Sequence, residues 1–201
     1  LRHLHLHVRV ALVVAERADD RAQVRGFVVG AGAFTRAILL GQKSHKLGAF
    51  NAAVVVLTVL WALVQALLGG KGNGWRQGML MRLWHEDGSE LPHCGGLPPD
   101  QRYMLFASPL ERFPAGLNPF RGITRPLRVA VMDNARRGML LRLGALARGT
   151  GSARTLARGG HLIGAEAITL DLGECFILDG EAFPAGEYRL SAGAPLRFVV
   201  P

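Results

Sequence analysis

Alternation is what most constrains this chain. Leu4, Leu6, Val8, Val10, Leu12 and Val14 fall on every second position, with His3, His5, His7 and Arg9 between them. Successive side chains of an extended backbone point to opposite faces, so this spacing describes a strand with one buried and one wet face. The same period returns at the other end. Ala167–Leu172, Glu174–Leu178, Glu187–Ser191 and Pro195–Val200 read as strands separated by turn residues. Hydrophobic residues make up 49% of the 201, enough to build a core and to exclude wholesale disorder. The 26 glycines favour many turns over long helical bundles. The expected fold class is α+β: an antiparallel β-sandwich with a few packed helices.

Between the two ends the pattern is mixed. Glu16 to Arg21 reads as a polar turn and Gly26–Gly30 as a second strand. That strand stops at Gly30-Ala31-Gly32, and a helix starts at Ala33 to Leu40. A Gly-x-Gly between strand and helix has two readings, a tight turn or a phosphate cradle, and the tight turn is the simpler. Gly78–Trp84, Arg102–Ser108 and Pro126–Met132 read as strands. Arg136–Arg148 reads as one apolar-periodic helix with Arg on its outer face, and Gly149–Arg158 as a linker.

Gly48 to Gly70 carries no charge. By length it reaches across a bilayer. However, Asn51, Thr58 and Gln65 recur every seven residues and form one polar seam, which favours a helix packed in the protein or docked on a membrane surface.

Charge is lopsided. The chain holds 24 basic and 15 acidic residues, a net +9, and only Lys43, Lys46 and Lys71 of the basic ones are not Arg. No acidic residue occurs between Arg21 and His85 or between Asn134 and Ala165; the second stretch contains Arg136, Arg137, Arg142, Arg148, Arg154 and Arg158. Such runs build a positive face for lipid head groups or nucleotide phosphate, unless they are simply solvated surface. Aromatic residues do not interleave with them as stacking platforms would, so nucleic acid is not an expected partner.

Candidate chemistry is sparse. Cys94 and Cys175 alone exclude a disulfide scaffold and a Cys-rich zinc module, and fit a reducing compartment. His3, His5 and His7 share a face with no acidic residue or Cys nearby in sequence; His93-Cys94 has no partner at a useful spacing and reads as ordinary loop. No metal-ligand set is read from spacing. The distinctive string is Cys175-Phe176-Ile177-Leu178-Asp179-Gly180-Glu181-Ala182-Phe183. Asp-Gly between apolar runs signals a hairpin. It also presents two carboxylates, Asp179 and Glu181, beside Gly180, which admits a close ligand. A carboxylate there accepts a proton from a hydroxyl. A free Glu, with a pKa of about 4.3, is a weak base at neutral pH, so Phe176 and Phe183 would have to bury Glu181 partly.

Leu178-Asp179-Gly180-Glu181, followed by Leu190-Ser191-Ala192-Gly193-Ala194-Pro195-Leu196-Arg197-Phe198-Val199-Val200-Pro201, resembles the C-terminal end of the diacylglycerol kinase catalytic family, which includes bacterial lipid kinases and sphingosine kinases. Gly30-Ala31-Gly32-Ala33-Phe34 resembles that family's Gly-rich turn. Arg102–Ser108 with Gly116-Leu117-Asn118-Pro119-Phe120 resembles its middle segment. The resemblance implies a fold of the NAD kinase/diacylglycerol kinase-like kind and transfer of the ATP γ-phosphate, with Mg²⁺, to a membrane lipid hydroxyl. It implies Glu181 as proton acceptor, with Asp179 shaping the turn or assisting through Mg²⁺, and a cytoplasmic enzyme peripheral at the inner membrane surface. The family's structural Mg²⁺ loop would fall near Arg125-Pro126-Leu127, where its Asp is lacking. The family's Gly-Gly-Asp-Gly-Thr nucleotide loop occurs nowhere in the sequence. With Leu1 in place of Met, residues 1–201 are therefore expected to be the lipid-acceptor, C-terminal domain of such an enzyme, inactive alone. The alternative is a non-catalytic β-sandwich module that binds anionic membranes.

Overall fold

The computed structural model describes residues 5–16, 19–46, 74–113, 116–151 and 153–200. The apolar stretch 48–70 lies outside them. Among the described residues no helix is long and apolar enough to cross a membrane.

Twelve strands form two antiparallel six-stranded sheets, the β-rich α+β sandwich expected from the alternation. The first sheet runs β2 (Asp19–Gly26), β1 (His5–Glu16), β12 (Gly186–Val200), β9 (Ala167–Leu172), β4 (Met79–Trp84), β5 (Gln101–Arg102). The second runs β11 (Glu181–Phe183), β10 (Phe176–Leu178), β3 (Val29–Gly32), β6 (Met104–Ser108), β7 (Leu127–Met132), β8 (Gly160–Ala165). The core lies between them and is supplied by every second residue: Met79, Met81 and Leu83 from β4, and Leu127, Val129 and Val131 from β7, are all buried. Four helices complete the described fold: α1 (Ala33–Lys46), α2 (Arg137–Leu140), α3 (Leu143–Ala147) and α4 (Ala153–Leu156).

The departures from the expected pattern have local causes. β2 occupies part of the expected polar turn; it is an edge strand, where a charged sequence is tolerated because one side meets water. The two expected tail strands are one 15-residue strand, β12. Its apparent break at Gly193 is a bulge: Val10 pairs with Pro195 and Leu12 with Ala192, so Gly193 and Ala194 face Ala11 alone. A Cβ at Gly193 would lie 2.6 Å from Val13 Cγ2, so the bulge needs glycine. The expected helix 136–148 is two short ones, because its apolar residues serve two places. Met139 and Leu140 are buried in a small cluster with Tyr103, Met132 and Ala135, against which Leu143 also packs, while Met139, Leu143 and Leu146 line an apolar groove on the outer face of the second sheet. The expected linker 149–158 contains α4, and β8 follows it. β8 is half-buried along its whole length and so shows no alternation.

Gly30, Ala31 and Gly32 are not a turn but residues of β3, paired with Phe106, Leu105 and Met104; the strand expected over Gly26–Gly30 is instead the end of β2, a bend at Phe27-Val28 and the start of β3. A Cβ on Gly30 would lie 1.8 Å from the Phe34 ring. Gly32 has φ +68°, a Cβ there would lie 2.4 Å from the Tyr103 carbonyl oxygen, and the Ala33 amide that opens α1 already donates to that oxygen at 3.0 Å. The strand thus passes straight into α1 at Gly32, and the first helical amide is not offered to phosphate. Gly32→Ala should cost about 1–3 kcal/mol, since it adds left-handed strain to a main-chain clash; a urea unfolding midpoint unchanged by the substitution would contradict this.

Candidate functional site

The Asp-Gly string folds as the two-residue hairpin that joins β10 to β11. Asp179 (φ 48°) and Gly180 (φ 95°) both have positive φ, as a type I′ turn demands. The Asp179 carboxylate does not face solvent idle. It accepts the Phe27 amide at 3.0 and 2.9 Å through its two oxygens, and the Val28 amide at 2.8 Å. The Asp179 amide in turn donates to the Val28 carbonyl at 2.9 Å. The Phe27 carbonyl accepts the Ser108 hydroxyl at 2.7 Å. Asp179 thus clamps the hairpin onto the bend between β2 and β3, a turn-shaping role.

Glu181 is exposed, and its carboxylate has no hydrogen-bond or ion-pair partner among the described residues. In the ladder it stands opposite Leu178, so it points toward the inter-sheet face at the sheet's edge. The burial asked of the two phenylalanines is not supplied. Phe176 lies wholly in the core, stacked on Phe183 at 5.4 Å and edge-on to Tyr188 at 4.8 Å.

The outer face of the second sheet carries an apolar groove of about 850 Å³. Met104, Phe106, Ala130 and Leu162 form its floor, which follows from alternation: their neighbours Leu105, Val129 and Val131 point inward to the core. Phe34 of α1, Phe113 and Leu117 of the loop after β6, and Leu143 and Leu146 of α3 form its walls. Phe106 is the centre of an aromatic group, 5.3 Å from Phe34, 5.4 Å from Phe113 and stacked on Phe120 at 5.5 Å. The groove reaches the Asp179 turn through Val28, which lines it; Asp179, Gly180 and Glu181 are not in its wall, nor in that of a smaller polar cleft of about 260 Å³ beside Trp84 and Arg189. Sequence reading missed this groove because its parts lie on five separate segments.

Arg136, Arg137, Arg142, Arg148 and Arg158 are exposed beside it. Leu141, between Arg137 and Arg142, is 72% exposed.

A second polar cluster lies across the sheet. Asp133 follows β7 directly and is wholly buried, paired with the equally buried Arg102 guanidinium. Its other oxygen meets His161 Nε2 at 2.8 Å and the Cys94 amide at 2.8 Å. Burial works to raise the Asp133 pKa, but the bonds from His161 and Cys94 and the Arg102 charge outweigh it and hold the carboxyl below its ordinary value. Burial, then the Asp133 charge, push the Cys94 thiol up. The sequence reading found no partner for Cys94; the fold supplies two, 39 and 67 positions away. The only local hint was a polar pair, Asp133-Asn134, at the end of a buried strand.

Among the described residues, the places where the resemblance would put ATP or Mg²⁺ are already occupied by the chain itself. The space beside Gly30 and Gly32 at the end of β3 is filled by Phe34 and the Tyr103 carbonyl. The Asp179 carboxylate is taken by main-chain amides. Arg125, where the resemblance would want an Asp, pairs with Glu166 at 3.1 Å.

No protein-family model matches the chain, and no curated protein does. Among solved structures, the chain is similar to a diacylglycerol kinase from Bacillus anthracis str. Sterne, at 9% identity and a TM-score of 0.47, over 93% of this chain and 52% of that one. It is also similar to two chains of the same strain named as candidate diacylglycerol kinases, at 11% and 12% identity and TM-scores of 0.48 and 0.46. It spans about half the length of these chains.

Proposed function

We propose that this chain is the lipid-acceptor part of a phosphotransferase resembling the diacylglycerol kinases. The observation that carries the reading is the apolar groove whose rim, at Val28, is clamped to the hairpin bearing Glu181. Each methylene of an acyl chain that leaves water for such a groove contributes about 0.8 kcal/mol, so the groove favours a long apolar tail over a small polar substrate. The tail would lie over Phe106 and Ala130. The head group would emerge past Val28, and its hydroxyl would have to turn round the open edge of the sheet to meet Glu181, which shares the inter-sheet face of Leu178 and not the outer face of the groove.

Within that pair of carboxylates the roles divide. Asp179 is spent on main-chain amides and fixes the turn. Glu181 keeps its lone pairs available, and would accept the hydroxyl proton as the oxygen attacks phosphorus. Phosphoryl transfer asks the protein mainly for positioning and charge stabilisation. ATP, as phosphate donor, and Mg²⁺ would be held by a nucleotide-binding domain contributed from outside residues 1–201. The exposed arginines and Leu141 beside the groove would hold its mouth against an anionic bilayer, where an enzyme peripheral to the inner membrane finds its lipid.

Ala130 tests the groove. It pairs with Phe106 and Leu162 at the middle of the floor. Ala130→Trp should weaken binding of a fluorescent short-chain diacylglycerol at least about tenfold, or 1.4 kcal/mol, with the thermal midpoint within about 4 °C of the wild type. Unchanged binding would remove the groove from the account. The alternative, a module that docks on anionic membranes without chemistry, rests on Leu141 and its flanking arginines. It would be favoured by vesicle binding that survives Ala130→Trp in a protein that transfers no phosphate.

A further inference from the structure

Cys94, Asp133 and His161 meet at one point. Cys94 Sγ lies 4.0 Å from His161 Nε2, His161 Nε2 lies 2.8 Å from Asp133 Oδ2, and the three ligand atoms all fall within 4.8 Å of one another. The thiol and the carboxylate face the same imidazole nitrogen. A nucleophile–base–acid triad uses the two opposite nitrogens, one for the nucleophile and one for the acid, so this arrangement is not a triad. Sulfur, imidazole nitrogen and carboxylate oxygen converging from three segments is instead the geometry of a coordination sphere. Tetrahedral Zn²⁺, with bonds of about 2.0–2.3 Å, wants its ligand atoms roughly 3.3–3.6 Å apart, so the sulfur–nitrogen separation must close and the nitrogen–oxygen one open by about half an ångström each, with the exposed Cys94 loop moving in by up to about 1 Å toward Asp133.

The surroundings are built to hold these ligands. The loop that carries Cys94 is pinned on both sides. Arg102 donates to the carbonyls of Leu91 and Pro92, and Asn134 Nδ2 donates to the Gly95 carbonyl at 2.9 Å. Gly96, with φ +97°, packs against Asn134 so closely that a Cβ would lie 2.8 Å from that side chain. The Cys94 amide donates to Asp133 itself. Arg102 occupies the other Asp133 oxygen and fixes the carboxylate plane, as outer-shell partners of metal ligands do. Asp133 is wholly buried and His161 nearly so, whereas Cys94 is exposed. An ion therefore has a route in, and a fourth position toward solvent.

We propose that Cys94, Asp133 and His161 form a three-ligand site for a borderline-soft divalent metal ion, for which the donor set selects Zn²⁺. On binding, the Cys94 thiol releases its proton to solvent and coordinates as thiolate. His161 gives up to solvent the Nε2 proton that Asp133 accepts in the metal-free chain, takes one from solvent on Nδ1, and coordinates through Nε2. The site lies at the β7–β8 edge of the second sheet, opposite the edge that carries the Asp179 hairpin; His161 also lines the far end of the apolar groove, but the metal site uses neither Asp179 nor Glu181.

The test is titration of the chelator-treated chain with Co²⁺, followed by displacement with Zn²⁺. One equivalent of Co²⁺ should bind with tetrahedral d–d bands and a thiolate-to-cobalt charge-transfer band, and one equivalent of Zn²⁺ should remove both. Cys94→Ser should abolish the charge-transfer band, and His161→Gln should weaken Zn²⁺ binding by more than about tenfold. Because Cys94 is exposed, Cys94→Ser should leave the far-ultraviolet circular dichroism and the metal-free melting curve unchanged, which separates ligand loss from unfolding. Binding below one equivalent, binding without the charge-transfer band, or affinity unchanged in both variants would each overturn the proposal.

Discussion

Asp133→Ala should lower the stability of the chain by about 3–5 kcal/mol, a large part of the 5–15 kcal/mol that a domain of this kind typically has. Asp133 is 0% exposed and Arg102 1% exposed, and Arg102 Nε has no hydrogen-bond partner. Removing the carboxylate leaves a guanidinium sealed from water with only the carbonyls of Leu91 and Pro92 to face. It also strips an acceptor from His161 and from the Cys94 amide. The desolvation cost of the charge stays while its compensation goes. The double variant Arg102→Met with Asp133→Leu separates this cause from general packing. With both charges replaced by apolar groups of similar size, much of the loss should be recovered. Urea unfolding of the three proteins decides the matter: a single-variant loss under about 1 kcal/mol would mean that water reaches the pair and that the pair behaves as a surface ion pair.

Strands that alternate were readable from the sequence because one face is core and the other is not. β4 and β7 fall within a residue or so of the expected Gly78–Trp84 and Pro126–Met132. What failed was whatever depends on pairing. β8 has no alternation because it is half-buried along its length, and β11, the second arm of the Asp-Gly hairpin, is too short at three residues to show a period of its own. Gly193 looked like a strand break, but only the register with Ala11 reveals a bulge. The Asp179-Gly180 hairpin was readable, since its dipeptide specifies the turn type locally. The bonds that Asp179 makes to Phe27 and Val28 were not, because they span 152 and 151 positions. The Cys94–Asp133–His161 cluster escaped for the same reason. Spacing along the chain reports ligand sets that sit on one helix or one loop, whereas this one joins a loop, a strand end and the neighbouring strand.

The second large effect concerns Glu181. Asp179 and Glu181 are two positions apart yet differ in circumstance: one carboxylate is consumed by three main-chain bonds, and the other is exposed and unpartnered among the described residues. If the chain serves a lipid kinase, the proton acceptor is Glu181. Glu181→Gln keeps the size and strand position of the side chain and removes only its basicity. The expected loss in kcat is about 10²–10⁴-fold, the usual contribution of a positioned general base. Stability should not change, because the residue sits exposed on an edge strand. Asp179→Asn would behave differently. It weakens the clamp on Phe27 and Val28, so its loss of turnover would come with a loss of stability.

The most direct measurement is phosphate transfer from ATP to diacylglycerol in vesicles by the protein that joins residues 1–201 to a nucleotide-binding domain, compared with its Glu181→Gln variant at equal folded concentration. The account predicts turnover in the first and at least about a hundredfold less in the second, with superimposable melting curves. Equal turnover in both, or no transfer by either, would contradict it.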